Sequence, residues 1–483
     1  MIAALKQYPA YRTAEGGWLG KIPSHWTIRR MKYVVREIDS RSTTGKEQLL
    51  RISQYTGVTQ RRRADDLDGP DTRADSLVGY KRVAPDDLVI NIMLAWNGSI
   101  GVSRYEGIAS PAYCVYRFAR DLHPWFFHNL LRSPSYKARI KGSSTGVVES
   151  RLRLYSDDLG RIEAVVPPPD EQAAIVRFLD WANGRLERAI RAKRKVIALL
   201  NEQKQAIIHR AITSGLDPSA PIKPSGIPWL GDIPKHWEVQ RLGHAIRLQT
   251  GFPFASTGFV QGESGIRLLR GINVTPFGLR WDSVVCWQRK PGDGLDEFAL
   301  EIGDVILGMD RPIIGAGVRA ATVQENDIPS LLLQRVARLR PTGKLDAKFL
   351  LLLLRGRLFR DYIAPIFTGI SVPHLSPEQI KGFRVPLPAL IEQQGIVRSL
   401  ETKTHGLDTA VSRLEREIEL LREYRIRLVA DVVTGKLDVR AAAAKLPEET
   451  DDLGPIEDAD PLAEGEEDEE REGLDVVTKG AEA

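Results

Sequence analysis

The residues of this sequence best suited to specific recognition are arginines, asparagines and glutamines in two stretches that lack catalytic motifs. These side chains make paired hydrogen bonds to guanine or adenine edges, and lysine adds phosphate contacts. For the run of three arginines at residues 61–63, an exposed loop and a phosphate contact are equally good explanations. The candidates are Arg61, Arg62, Arg63, Lys81, Asn91 and Asn97 in the first stretch and Arg267, Arg270, Asn273, Arg311 and Gln334 in the second. Apart from the three arginines at 61–63, an ordinary surface or core position is the simpler explanation for each one taken singly.

Two further segments combine small hydroxyl residues with glycine, which suits a loop that approaches a nucleic-acid backbone. Residues 141–153 read KGSSTGVVESRLR, and residues 368–374 read TGISVPH; each follows a predicted helix. A structural turn explains each segment as well as a DNA-contacting loop does. The candidates in these segments are Lys141, Ser143, Ser144, Thr145 and Arg151, and Thr368, Ser371 and His374.

Motifs for catalysis and metal binding are missing from the sequence. No Gly-Lys pair is followed by Ser or Thr, which a phosphate-binding loop of an ATPase requires. The proline run at residues 167–169 follows Val166, whereas an amino-methyltransferase motif needs Asn or Asp there. Cys114 and Cys286 lack neighbours at metal-ligand spacing. We therefore expect no catalytic residues and no metal site in this chain.

Two histidines and one charged triplet are better explained as structural than as catalytic. His25 and His236 each precede a tryptophan and have no second ligand or base at a fixed spacing, which indicates a packed turn. Glu401, Thr402 and Lys403 resemble the end of a nuclease metal site, but they lie on a predicted long helix. A solvated helix face is the simpler interpretation of that triplet.

The charge of the chain is divided unevenly along its 483 residues. Residues 441–483 carry 16 Asp and Glu against 3 Lys and Arg, which leaves residues 1–440 with 65 basic and 47 acidic side chains, a net charge of +18. A body this basic attracts polyanions, and nucleic acid is the first partner to consider. Residues 441–483 are predicted to be a disordered, solvating tail, with an autoinhibitory DNA mimic as the alternative.

Hydropathy argues against membrane insertion. The longest apolar run, residues 349–354, is far shorter than the roughly 18 residues that a membrane span needs. The first residues lack the pattern of a signal peptide. We therefore expect a soluble, cytoplasmic protein.

The chain contains an internal duplication. Residues 18–26 read WLGKIPSHW and residues 229–237 read WLGDIPKHW, at an offset of 211 residues. Further along, the Glu-Gln pair at residues 171–172 matches the pair at 392–393, and TSGLD at 213–217 matches TGKLD at 434–438, both at an offset of 221 residues. The stretch before the Glu-Gln pair has therefore diverged in length, while the part after it has not.

The part that kept its length is predicted to be a long helix in each copy. Residues 171–213 and 392–434 contain no proline over 43 residues, or about 64 Å if helical. Apolar residues recur every seven positions, which is typical of a coiled-coil seam and marks candidates for a subunit interface. These residues are Leu179, Leu186, Leu200 and Ile207 in the first helix, where Lys193 occupies the intervening position, and Leu400, Leu407, Leu414, Leu421 and Leu428 in the second.

The diverged parts, roughly residues 27–165 and 238–384, show short strand-like runs bounded by glycine, proline and aspartate, with at least one helix each. We expect two mixed α/β domains with one fold and two different surfaces.

The repeated WLGxIPxHW openings, the proline-rich entry into an EQxxIV helix and the TSGLD and TGKLD endings resemble the specificity subunit of a type I restriction-modification enzyme. The resemblance covers residues from about 9 to 440. It implies an α+β architecture with an internal pseudo-twofold repeat, in which two α/β target recognition domains are joined by two long helices forming an antiparallel coiled coil. The implied boundaries are 1–166 and 229–385 for the recognition domains, 167–214 and 386–436 for the helices, 215–228 for a linker and 441–483 for the acidic tail.

The same resemblance implies a function without catalysis in this chain. Each recognition domain would read one half of a split site in double-stranded DNA, and the coiled coil would fix their separation. The helices would also bind two modification subunits, and through them two restriction subunits, so that S-adenosylmethionine, ATP and Mg²⁺ belong to the partners. Two other hypotheses remain: a coiled-coil scaffold without sequence-specific DNA binding, and a self-contained nuclease or methyltransferase, against which the missing motifs weigh.

Overall fold

The structure is a computed structural model that describes residues 5–14, 17–61, 76–148, 151–260, 265–315, 317–367 and 373–447. The chain divides into two compact units. The first unit combines Met1–Lys193 with Arg416–Ala483, and the second is Arg194–Glu415. Four candidates, together with residues 448–483 of the predicted tail, lie outside the described residues; the four are Arg62, Arg63, Thr368 and Ser371.

Short strands and helices make up the part of the chain before the first long helix. The strands are β1 (Tyr11–Thr13), β2 (Lys21–Pro23), β3 (Thr27–Arg30), β4 (Val35–Glu37), β5 (Leu50–Ser53), β6 (Gly57–Gln60), β7 (Lys81–Val83), β8 (Leu88–Asn91), β9 (Ile100–Val102), β10 (Gly107–Ala109), β11 (Tyr113–Phe118) and β12 (Glu163–Val166). The helices are α1 (Pro124–Leu131), α2 (Pro134–Ser143), α3 (Ser156–Arg161) and the long α4 (Pro169–Ser214).

The part that follows α4 repeats this composition. Its strands are β13 (Ile222–Pro224), β14 (Asp232–Pro234), β15 (Glu238–Arg241), β16 (Ile246–Thr250), β17 (Ile266–Leu269), β18 (Cys286–Trp287), β19 (Val305–Gly308), β20 (Ile313–Ile314), β21 (Gly317–Val318), β22 (Ala320–Thr322), β23 (Ser330–Leu332), β24 (Val336–Pro341) and β25 (Arg384–Leu387). Its helices are α5 (Ala347–Arg355), α6 (Arg357–Ile363), α7 (Pro377–Gly382), the long α8 (Leu390–Val433) and the short α9 (Arg440–Ala443).

Each unit is built around a four-stranded antiparallel sheet with the same strand arrangement. The order is β4-β11-β8-β9 in the first unit and β16-β24-β19-β22 in the second. The second strand in this order is the longer one, with six residues in both β11 and β24. The expected mixture of strands and helices in each diverged part is therefore confirmed. Each part has its own four-stranded sheet, and the strand arrangement is the same in both.

The central strands β8 and β19 are buried along their whole length and are mostly apolar. All four residues of β8 and all four of β19 are buried. In the first unit, Phe126, Phe127 and Tyr136 of α1 and α2 belong to the same core as β8. A strand covered on both faces gives a continuous apolar run, as LVI at residues 88–90 shows.

The two long helices begin and end with conventional signals. Acidic residues occupy their first turns, Asp170 and Glu171 in α4 and Glu392 in α8, where they complement the helix dipole. Gly215 and Gly435 follow the helix ends in the left-handed conformation, at φ of 75° and 78°. A Cβ atom at Gly435 would also collide with the ring of Pro23, so this position excludes any larger residue.

Within each unit, one part of α4 contacts one part of α8. In the first unit, Glu187 lies 3.6 Å from Arg425, and Lys193 lies 2.5 Å from Glu417, so residue numbers rise along α4 as they fall along α8. In the second unit, Lys204 forms an ion pair with Asp408. The two contacts of the first unit show that its paired segments run antiparallel.

The structure corrects the predicted linker at residues 215–228. This stretch contains β13, which pairs with β14 just as β1 pairs with β2. The two hairpins are related by the offset of 211 residues already seen in the tryptophan motifs, so the repeated unit begins before Trp229. Three-residue strands leave no hydropathy pattern that could distinguish them from a linker.

The start of the predicted acidic tail is also corrected. Residues 441–447 belong to the first unit, because Ala443 of α9 is buried in its core and Leu446 packs against that core. The Arg177 guanidinium donates hydrogen bonds to the carbonyl oxygens of Leu446 at 2.8 Å and Pro447 at 3.0 Å. Three consecutive alanines in α9, with a fourth at its C-cap, favour this short helix, whereas the acidic residues begin only at Glu448.

Within the described ranges, no helix combines the length and apolar composition that crossing a bilayer requires.

Candidate nucleic-acid interface

In the second unit, three loop segments meet at the end of the central strand β19. Gly308 closes β19 opposite Val336, the first residue of β24, so the residues after β19 lie beside the turn before β24. The amide of Met309 donates to the carbonyl of Arg335 at 3.0 Å. The third segment is held by the amide of Arg311, which donates to the carbonyl of Pro373 at 2.8 Å.

This meeting point brings together Arg311, Gln334 and His374, three candidates that lie far apart in the sequence. Arg311 and Gln334 are exposed, and His374 forms an isolated β-bridge with Asp310. The Asp310 carboxylate contacts Nδ1 of His374 and accepts a hydrogen bond from Nη1 of Arg335 at 3.1 Å. Positively and negatively charged side chains therefore lie together at one edge of the unit.

A neighbouring loop, residues 271–283, is tied to this edge by Arg319. Its Nε donates to the carbonyl of Val274 at 3.0 Å, its Nη1 donates to the carbonyl of Asp310 at 3.2 Å, and its Nη2 donates to the carbonyl of Gly271. These bonds fix the loop against the segment after β19. At the tip of the loop, Phe277 is 82% exposed.

The other candidates of the second unit hold loops together. Asn273 is buried and donates to the carbonyl of Arg280 at 2.8 Å. Arg270 donates to the carbonyl of Ser283 at 2.7 Å, and burial lowers the pKa of its guanidinium. Arg267 donates to the carbonyl of Asn326 at 2.8 Å. Base contacts were the wrong interpretation of Asn273, whose polar atoms are used inside the fold.

In the first unit, the corresponding edge at the end of β8 is formed by two segments. Leu154 donates its amide to the carbonyl of Ile92 at 2.9 Å, which places Leu154 beside the loop after β8. Thr145 pairs with Arg153 as an isolated bridge. Lys141 lies with Nζ 5.4 Å from the centre of the Trp96 ring. The segment before α3 thus contacts the loop after β8, as the segment before α7 contacts the loop after β19.

Two asparagines of this edge stabilise its loop. The side-chain oxygen of Asn91 accepts from the amide of Met93 at 3.1 Å, and that of Asn97 accepts from the hydroxyl of Ser99 at 3.0 Å. Asn91 is buried, so the predicted base contact is wrong there. Such caps use the short amide side chain to satisfy turn amides that lack strand partners.

Lys81 is also corrected. Its side chain is 8% exposed, and Nζ lies 3.6 Å from Glu37 and 4.0 Å from Asp39. A buried ammonium needs such carboxylates, because leaving it unpaired away from water is very costly. Lys81 therefore forms ion pairs inside the first unit and is not available for a contact with DNA.

The remaining candidates of the first unit differ in exposure. Arg61 is half-buried and its amide donates to the carbonyl of Leu49 at 2.9 Å. Ser143 is half-buried at the end of α2, and the hydroxyl of Ser144 donates to the carbonyl of Ile140 at 2.8 Å. Thr145 and Arg151 are exposed. Arg151 and Thr145 thus keep the accessibility that a DNA contact needs.

A glutamate carboxylate joins each unit to the start of a long helix. Glu171 of α4 accepts hydrogen bonds from the Tyr8 hydroxyl at 2.5 Å and from Nε1 of Trp26 at 3.0 Å, and its other oxygen lies 2.7 Å from Nε2 of His25. Burial, followed by the hydrogen bond to Glu171, raises the pKa of Tyr8. His25 thus has the structural role that the sequence indicated.

The second unit repeats this contact with one donor fewer. Glu392 of α8 accepts from Nε1 of Trp237 at 3.0 Å and lies 3.1 Å from Nε2 of His236. The repeated tryptophan motifs therefore position the sheets on the helices.

The predicted seam residues pack largely inside the chain. Leu179, Leu186, Leu400 and Leu428 are buried in it, so they are wrong as a docking surface for a partner. Half-buried positions are Leu200, Ile207, Leu407, Leu414 and Leu421. The exposed apolar residues of the two helices are instead Val196, Leu199, Leu390, Ile391, Leu420, Tyr424 and Ile426.

Sequence reasoning missed Asp310, Arg319 and Arg335, which organise the edge of the second unit. An aspartate after a strand and two isolated arginines carry no local signal, since their roles depend on contacts between distant segments. Phe277 had a signal in the turn sequence TPFG, where an apolar residue stands among turn formers. In the described part of the chain, no group of three or more His, Cys, Asp or Glu residues is arranged to hold a metal ion.

Comparison with known proteins finds similarity to one group of proteins. Residues 250–420 match the family described as the type I restriction modification DNA specificity domain. The specificity subunit of the type I restriction enzyme MjaVIII from Methanocaldococcus jannaschii is 26% identical over 375 residues, covering 75% of this chain and 83% of that protein. The EcoAI specificity subunit from Escherichia coli is 27% identical over 241 residues, covering 50% of this chain and 39% of that protein.

A solved structure agrees at the level of the fold. A chain from a study of complex assembly and conformational transition of the type I restriction-modification system superposes with a TM-score of 0.58 at 16% identity, covering 86% of this chain and 99% of that one. The shared domain and the relatives agree: the chain is similar in sequence to specificity subunits of type I restriction enzymes, and its second unit contains most of a match to their DNA specificity domain.

Proposed function

We propose that this chain is the DNA sequence-specificity subunit of a type I restriction-modification complex and that each unit reads one half of a bipartite site. The observation that carries the proposal is the repeated sheet, which presents polar loops at the end of β8 in one unit and of β19 in the other. Two copies of one fold with different loops suit two different half-sites. The named relatives, all specificity subunits, support the same role.

The long helices are proposed to pair along their length as an antiparallel coiled coil that sets the spacing of the half-sites. The antiparallel ion pairs of the first unit and the α4–α8 ion pair of the second support this. The two units would then be related by a pseudo-twofold repeat. Exposed apolar residues such as Leu199 on α4 and Leu420 on α8 are available for partner subunits.

Catalysis is proposed to lie in those partners. Two modification subunits would bring S-adenosylmethionine, and two restriction subunits would bring ATP and Mg²⁺. This chain would supply the binding that chooses where they act.

An exchange of recognition loops tests the proposal. Residues 241–380 are replaced by the equivalent region of another specificity subunit, and the chain is co-expressed with its modification subunit. We expect the methylated motif, read by sequencing host DNA, to change in one half only, with the other half and the spacing retained. A motif that changes in both halves or in neither would contradict the division of labour.

The scaffold hypothesis is tested with the same purified complex. Because residues 1–440 carry a net charge of +18, DNA binding should weaken by about a thousandfold between 50 and 200 mM salt if roughly six phosphates are neutralised. A complex without measurable DNA binding would favour a scaffold.

A further inference from the structure

We propose that Arg335 reads a guanine in the half-site of the second unit and that Asp310 is the residue that positions it. The inference rests on the proposed function, and it assigns a base and a side chain to the edge at the end of β19.

The backbone at Arg335 is the first observation. Among the described residues, the non-glycine positions with positive φ are Asp86, Arg311 and Arg335, at 68°, 41° and 65°. A side chain is disfavoured in this region, where glycine or asparagine is easier to accommodate. The turn before β24 would therefore form more readily with glycine at 335, so the turn itself does not explain an arginine there. Such positions concentrate at functional sites.

The second observation is that the Arg335 guanidinium is held and yet accessible. Its Nη1 lies 3.1 Å from the Asp310 carboxylate, while its side chain is 69% exposed. The other oxygen of that carboxylate contacts His374. A guanidinium has five N–H donors, so one bond through Nη1 still allows a pair of donors to face a base.

The third argument concerns the target of this side chain. Asp310 brings a negative charge beside the guanidinium, which opposes close approach of a phosphate but not of an uncharged base edge. In the major groove, guanine presents two acceptors, O6 and N7, whereas adenine and cytosine present an amino donor that a guanidinium cannot satisfy. A fixed donor pair therefore selects guanine.

Arg335→Gly is the direct test, because glycine suits the positive φ of this turn and the unit should keep its fold. The variant chain is co-expressed with the modification subunit, and the methylated motif is compared with that of the unmodified complex. We expect one position of the second half-site that requires guanine in the unmodified complex to accept any base in the variant. The spacing and the first half of the motif should be unchanged. Binding should lose about tenfold or more of its preference for that guanine over adenine.

Two further variants complete the design. Asp310→Asn keeps the shape of the side chain but weakens its hold on Arg335, so the preference for the same guanine should fall by less than in Arg335→Gly. Arg357→Gln is the matched control, since Arg357 is an exposed, ion-paired arginine of the same unit on α6, and it should leave the motif unchanged.

The outcomes separate this inference from the proposed function. If Arg335→Gly and Arg335→Asn, which also tolerates positive φ, both keep the original motif, the inference is overturned. Equal weakening on all sequences, with a salt dependence reduced by about one phosphate, would make Arg335 a phosphate contact and overturn it as well. An unmodified complex without any bipartite motif would instead overturn the proposed function.

Discussion

Glu171 and Glu392 make equivalent contacts at the starts of the two long helices, but they differ in burial. The Glu171 side chain is 4% exposed, and that of Glu392 is 29% exposed. Glu171 has an additional donor in Tyr8, for which the second copy has Ser219 at the same offset. A more deeply buried carboxylate with more hydrogen-bond donors contributes more to the stability of its unit, because those donors cannot bond to water when the carboxylate is removed.

Replacing each glutamate with alanine should therefore have unequal effects. Glu171→Ala leaves the Tyr8 hydroxyl and Trp26 Nε1 buried without an acceptor and should destabilise the first unit by about 3–5 kcal/mol. Glu392→Ala should destabilise the second unit by about 1–2 kcal/mol, because water can replace part of the contact. Hydrogen exchange at residues 8–26 and 229–237 measures each effect, and equal losses of protection would argue against this ranking.

The protonation state of His128 in α1 makes the stability of the first unit depend on pH. Its Nδ1 accepts a hydrogen bond from the amide of Val102 at 3.1 Å, which only the neutral ring can do. Burial, then the charges of Arg132 and Arg104, hold the pKa of this imidazole well below its usual range.

A folded-state pKa below the unfolded one makes His128 destabilising in acid. Its contribution is fully present above the unfolded value of about 6.5 and is lost as pH falls below that value, because the unfolded chain then binds the proton first. We expect the first unit to lose stability between pH 7 and pH 5, and His128→Asn, whose oxygen can replace Nδ1, to reduce that loss. Urea unfolding at both pH values is the measurement, and an identical loss in the variant would count against the assignment.

At the scale of elements, the long helices were predictable and the short strands were not. The predicted helices at 167–214 and 386–436 correspond to Pro169–Ser214 and Leu390–Val433. Proline-free length and an apolar repeat are local properties, so the sequence displays them directly. Strands β13 and β1 have three residues each and depend on their partners, which no window of sequence reveals.

The candidate site shows the same division. Residue type suggested Arg311 and Gln334, and the segment at 368–374 suggested His374; the fold brings these three together. Residue type equally suggested Asn91, Asn273 and Lys81, which the fold uses internally. An amide that caps a turn and an amide that reads a base are identical in sequence. Burial decides between them, and burial depends on the pairing of segments that lie far apart in the chain.

At the scale of the whole molecule, neither long helix belongs to a single unit. The first unit contains the beginning of α4 and the end of α8, and the second contains the remainder of both. The tryptophan motif at 18–26 accordingly contacts Gly435 after α8, while the motif at 229–237 contacts Gly215 after α4.

This interleaving has a consequence for the order in which a ribosome completes the two units. Residues 194–415 of the second unit have all been synthesised before α8 delivers Leu428, Val432 and Val433, which are buried in the core of the first. The amino-terminal part of the chain is synthesised first, but its core is completed only after the carboxyl-terminal part has been synthesised. A chain ending at residue 415 should keep a protease-resistant second unit and an open first unit, and a separate peptide of residues 416–447 should close it. Equal protease resistance of both units in the shortened chain would show that the first unit folds without residues 416–447.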